Sequence, residues 1–134
     1  MANFLDLMDG AALVATVTAM DFNDTADHTI YTVPVGYSFI PTMLIIHSLS
    51  GTMSAAVFSA GISTAKTDFV ATITCSGANG VTKVLVIRPD YVATPAAGSG
   101  LMTVIPAGGT FVIDMLTAAG VACTGTVKLY GMLF

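Results

Sequence analysis

The chain has 134 residues, a formal net charge of −4, 54% hydrophobic residues and only 9% charged ones. A chain of this length fits one domain and buries roughly two thirds of its unfolded surface, so its core needs neither metal nor disulfide. Its four bases, Lys66, Lys83, Arg88 and Lys128, cannot build the positive face that a phosphate backbone requires, which argues against nucleic acid as a direct partner.

Residues 1–10 read as an N-terminal arm and 11–134 as one β-sandwich domain. Asp6 and Asp9 stand where a secretory signal carries Lys or Arg, and no apolar run approaches the ~18 residues of a membrane span, so neither a signal nor a membrane partner is expected. Within the arm, Asn3–Met8 has a helical look, with Phe4, Leu5 and Met8 on one side; alone it is too short to be stable, which suggests docking. From there on Val, Ile and Thr dominate, and the chain has no Glu or Gln, so strand formers replace helix formers.

Strands are expected near Ala12–Ala19, His28–Val33, Tyr37–Ile40, Met43–Ser48, Ala55–Ala60, Phe69–Cys75, Thr82–Ile87, Leu101–Ile105, Thr110–Leu116 and Gly125–Leu133. Their period is two. Val127 and Leu129 oppose Thr126, Lys128 and Tyr130, and Phe111, Ile113 and Met115 oppose Val112, Asp114 and Leu116. Both faces of the latter run are largely apolar, as when one meets the core and the other a neighbouring subunit. Met43–Ile46 does not alternate and reads as a strand covered on both sides.

Connectors separate these runs. Asp21–Asp27 is rich in oxygen ligands, but an EF-hand would need Gly at position 26 and Glu at position 32, where Ala26 and Thr32 stand. A solvated Asx turn is favoured there, with another kind of calcium loop as the alternative. Asn79-Gly80 suits a hairpin, Ala60–Asp68 a connector and Thr94–Gly100 a loop. Val33-Pro-Val-Gly-Tyr-Ser-Phe-Ile is echoed by Ile105-Pro-Ala-Gly-Gly-Thr-Phe-Val. Each predicts a tight turn in which Gly accepts φ > 0 and Phe plugs the core, and two such corners suit a sandwich of two Greek keys.

Catalytic chemistry finds no constellation. His28 and His47 are the only histidines and, with no Glu and no close His pair, form no metal set. There is no G-x-S-x-G elbow and no phosphate loop, so no enzyme activity, cofactor or metal is expected. Asp114, in an apolar strand, is expected to pair with Lys83, Arg88 or Lys128 across a sheet or subunit boundary. Cys75 and Cys123 read as buried free thiols, with a disulfide left open. So few ions leave a surface of Thr, Ser, Ala and Gly that loses little hydration on contact, favouring a protein packed against neighbours over a free monomer.

Thr29–Ile46, Ile105–Asp114 and the ending Gly125-Thr-Val-Lys-Leu-Tyr-Gly resemble the small jelly-roll cement, or decoration, proteins of tailed-bacteriophage capsids. The similarity covers about a third of the chain and rests on turn-and-strand patterns. It implies an all-β jelly-roll sandwich of about eight strands, a homo-oligomer, usually a trimer, and a place on the outer capsid surface against the major capsid protein. It carries no catalytic residues. On that reading the arm residues Phe4, Leu5 and Met8 dock, and Phe111, Ile113, Asp114, Met115, Tyr130, Met132 and Phe134 form subunit contacts. A tail-fibre, baseplate or lectin-like binding module of a virion is the alternative.

Overall fold

The Val-, Ile- and Thr-rich segments between glycine and proline turns are strands in the computed structural model, as β-branched side chains on a pleated surface require. The structure describes residues 12–78, 83–89 and 104–134. The expected arm Asn3–Met8, the Asn79-Gly80 turn, the loop Thr94–Gly100 and Leu101–Thr103 lie outside the described residues. The strands are β1 (Ala12–Asp21), β2 (Asp27–Thr32), β3 (Phe39–His47), β4 (Val57–Ile62), β5 (Ala65–Thr74), β6 (Leu85–Ile87), β7 (Thr110–Thr117) and β8 (Thr124–Leu133).

They form two four-stranded sheets, ordered β1-β8-β3-β6 and β2-β7-β4-β5, with every pairing antiparallel. The pairs β1–β8, β2–β7, β3–β6 and β4–β5 are nested. The chain is thus one long hairpin, tipped by the β4–β5 turn and rolled so that successive rungs fall in alternate sheets. That is a jelly roll, as expected.

Two expected strands, Tyr37–Ile40 and Met43–Ser48, are one. β3 runs through Pro41, which cannot donate to the ladder, because a register shift between Pro41 and Met43 absorbs it as a bulge. Of the expected Leu101–Ile105 strand, Ile105 forms a single bridge to Phe39.

Inward-facing Leu44, Ile46, Val127 and Leu129 meet Phe58, Ala60, Phe111, Ile113 and Met115 from the other sheet. Phe22, Phe39 and Phe69 complete a set of five fully buried phenylalanines with Phe58 and Phe111. Phe69 and Phe111 meet edge to face with centroids 5.3 Å apart.

The two echoed corners are type II turns. The amide of Tyr37 donates to the carbonyl of Pro34 (3.3 Å) and that of Gly109 to Pro106 (2.9 Å), with Gly36 at φ +86 and Gly108 at φ +80. They also bond to each other: Val33 N donates to Gly109 O, Gly108 N to Val33 O, and Phe39 and Ile105 exchange both backbone bonds. The repeat is therefore a paired structural device at one end of the sandwich, where the chain twice changes sheets.

Candidate functional site

Alternation along β7 defines two faces, and the structure decides which one is internal. Phe111, Ile113 and Met115, expected at a subunit contact, are enclosed in this chain's own core. This corrects the expectation, and the physical reason is Asp114. A carboxylate on the opposite face keeps that side outward, so the all-apolar side turns in.

Tyr130 and Met132 lie on the outer face of the β1-β8-β3-β6 sheet. Register places Leu13, Tyr130 and Met43 in one row, Thr16, Lys128, Ile45 and Val86 in the next, and Met132 beside Ile40. Leu13 is 46% exposed and Val86 54%. In these rows the only ion is Lys128, with Asp21 at the far end beside Thr124. Phe134, 59% exposed, ends the chain beside this sheet, where its backbone and that of Ser38 exchange two hydrogen bonds of 2.8 and 3.0 Å. The sequence reading missed Leu13, Met43, Ile45 and Val86 as members of this face. The unbroken apolar run Met43–Ile46 is the signal for Met43 and Ile45, its half-buried outward members.

The sheet edges are blunted. β1 carries two register shifts and Ala19 at φ +54, and β6 has three residues. Bulges and short edge strands suppress strand addition.

The outer face of the other sheet carries an ionic cluster, with Leu116 49% exposed on the same side of β7. Asp27, Asp114 and Ser59 form one row across β2, β7 and β4. Lys66 at the start of β5 forms an ion pair with Asp27. The expected partners of Asp114, Lys83, Arg88 and Lys128, are therefore replaced by Asp27 and the charge of Lys66. The hydrogen bond from Lys66 holds the Asp27 carboxyl below its ordinary range, helped by Asp114. Burial, and then the hydrogen bond with Asp27, push the Asp114 carboxyl up, while Lys66 opposes the rise.

Three side chains of the Asp21–Asp27 loop accept from backbone amides. Asp21 Oδ1 accepts from the amide of Asn23 (2.7 Å), Asp24 Oδ1 from that of Ala26 (3.2 Å), and Asn23 Oδ1 from that of Gly120 (2.9 Å). Asp24 also meets His28 Nε2 at 2.8 Å, which holds its carboxyl below the usual range. His47 Nδ1 lies 2.8 Å from Ser48 Oγ, on the other sheet from His28. Among the described residues no three His, Cys or Asp side chains gather as a metal ion would need. Cys75 and Cys123 are free and buried; burial lifts the Cys75 thiol to about 11 and the Cys123 thiol also upward. A depression of about 190 Å³ beside β6 is lined by Thr74, Cys75, Gly77, Ala78, Lys83, Val84 and Leu85, a set with one base and no carboxylate.

No protein-family model matches the chain, and no curated protein matches its sequence. Among solved structures, it is similar to a chain in the acidic stable capsid structure of Helicobacter pylori bacteriophage KHP30, with a TM-score of 0.53 and 14% identity. The match covers 90% of each chain. The likeness is one of fold.

Proposed function

We propose that this chain is a structural protein of a tailed-phage virion that cements the outer head surface between capsomers, as a homo-oligomer, most simply a trimer, bound to the major capsid protein. No catalytic step is part of this reading. The observation that carries it is the charge-poor outer face of the β1-β8-β3-β6 sheet, on a fold similar to that of a phage capsid chain. Rows of Leu, Tyr, Met, Ile and Val bearing one lysine lose little hydration when covered and gain the burial of half-exposed apolar groups.

Pressure from packaged DNA pulls capsomers apart, and a subunit spanning their junction adds buried area that must be lost before the lattice opens. A standard interface buries ~1,600 Å² in total, and several such contacts per oligomer, repeated over a shell, give high avidity from modest affinities. The test is cosedimentation of purified protein with empty shells of the parent virion, beside a Tyr130→Asp variant. The expected result is saturable binding that raises the shell's melting temperature and is weakened at least tenfold by the substitution, with the sandwich itself still folded. A monomer that ignores shells, or a variant that binds equally well, overturns the reading.

A further inference from the structure

The outer face of the β1-β8-β3-β6 sheet holds one ion that no described neighbour answers. Lys128 is half-buried in a row with Thr16, Ile45 and Val86. Neither ion pair found among the described residues, His28–Asp24 or Lys66–Asp27, includes it. The carboxylate that shares its face, Asp21, stands beside Thr124, four residues along β8 and roughly 14 Å away at ~3.4 Å per residue. A cover for these rows that brought no acid would strand the ammonium in an apolar contact.

We propose that residues 3–11 are that cover, folded back over the outer face of their own sheet, with the carboxylates of Asp6 and Asp9 at Lys128 and with Phe4, Leu5 and Met8 on the apolar rows. The segment has the chemistry that the face lacks: Phe4, Leu5, Leu7 and Met8 stand with two aspartates and no base. In helical spacing Asp9 is four residues from Leu5 and borders the stripe of Phe4, Leu5 and Met8, so apolar and acidic groups meet the sheet together. Acids bordering an apolar stripe complement a lysine set among apolar rows.

The point of attachment decides which copy is covered. β1 is an edge strand of this sheet and begins at Ala12, opposite Gly131. From there Lys128 is one strand in and three residues down β8, roughly 11 Å at ~4.8 Å per strand and ~3.4 Å per residue. The row of Leu13, Tyr130 and Met43 lies on the way. Asp9 is three residues before Ala12, a reach of roughly 10 Å at ~3.3–3.6 Å per residue, and a lysine stem adds roughly 6 Å at ~1.5 Å per bond. Asp6 has twice that length of chain. Both carboxylates therefore reach Lys128 of their own chain, and Gly10 permits the reversal of direction that this needs. A tether this short holds the segment over its own face at about millimolar effective concentration, far above that of a second copy in dilute solution. The inference uses this face but not head binding; on the head-protein reading, a shell displaces the segment when it covers the rows.

Carbodiimide coupling of the isolated intact chain is the test, because the reagent joins a carboxylate to an amine only where the two are in contact, and itself takes up the water released. Lys66 and Asp27, an ion pair in the structure, are the internal positive control. The expected product is an amide from Lys128 to Asp9 or Asp6, and in a mixture of unlabelled and heavy-nitrogen protein its two linked peptides carry the same label. Phe4→Ser, Leu5→Ser and Met8→Ser together leave both carboxylates in place. That variant is expected to lower the Lys128 yield at least about fivefold, to leave the Lys66–Asp27 link unchanged and to raise the binding of an apolar fluorescent dye at least about twofold. A Lys128 link between peptides of different label makes a second copy the occupant and overturns the proposal. So does a Lys66–Asp27 link with none at Lys128, or a triple variant that matches the wild type in yield or in dye binding. Shell cosedimentation is a separate readout, so either reading can fail alone.

Discussion

Gly131 is the position at which side-chain size and fold are most tightly coupled. It faces inward on β8 opposite Pro41, and a Cβ there would run into the ring of Phe39 and the carbonyl oxygen of Ile40. The ring cannot swing aside: Phe39 is fully buried, meets Tyr31 edge to face at 5.1 Å, and is fixed by both backbone bonds to Ile105. Gly131→Ala is therefore an overpacking change, costing about 1–3 kcal/mol. Phe39→Ala removes a whole ring, costing about 3–5 kcal/mol from a total stability on the order of 5–15 kcal/mol. The double variant separates packing from backbone effects. With the ring gone, the new methyl enters vacated space, and the combined cost should fall short of the sum of the single costs by about 1–2 kcal/mol. The contact with the Ile40 carbonyl persists and keeps the recovery incomplete. The chain has no tryptophan, so guanidinium unfolding followed by far-UV circular dichroism is the assay. Costs that add to within about 0.5 kcal/mol would refute the claim that Phe39 occupies the side-chain space of Gly131.

The turn glycines provide a cleaner backbone test. Gly36 and Gly108 hold φ of +86 and +80 with no atom within 4 Å of a built Cβ, so alanine at either costs backbone strain alone, about 1–2 kcal/mol. Gly77→Ala, equally open but without positive φ, should change stability by less than about 0.5 kcal/mol, and equal effects at all three sites would contradict the turn assignment. The thiols supply a third test. With Cys75 near 11, roughly one molecule in a thousand carries its thiolate at about pH 8, and the sulfur is buried as well. Iodoacetamide should modify both cysteines quantitatively after unfolding and at least about 100-fold more slowly before it. Native labelling at the unfolded rate would show that this end of the sandwich opens.

What the sequence reveals here is local. The alternation in β7 and β8, the strand-forming composition and the two Pro-x-Gly corners each act within a few residues, and each appears in the structure where the residues predict it. The misreadings come from two kinds of non-local fact. Pro41 suggested a break, but it sits in the middle of β3 because the Gly131 side of β8 tolerates a bulge there. Period two in β7 marks two faces without naming the inner one, which is why Phe111, Ile113 and Met115 were expected outside. Asp114 decides that question, but only if a lone carboxylate is weighed above three hydrophobic residues.

The Lys66 pairing was beyond any local pattern, because it needs the jelly-roll strand order that puts β2 and β5 in one sheet. That same non-local fact gives low charge its structural meaning. A composition of 9% charged residues describes an average. The fold divides it unevenly, with Asp27, Asp114 and Lys66 clustered on one outer face and Lys128 alone among the apolar rows of the other. Desolvating the first face means breaking a carboxylate pair and an ion pair, whereas covering the second displaces water from apolar side chains around one lysine. The two outer surfaces of one sandwich therefore differ in what covering them costs, the apolar rows losing little hydration and the carboxylate cluster much.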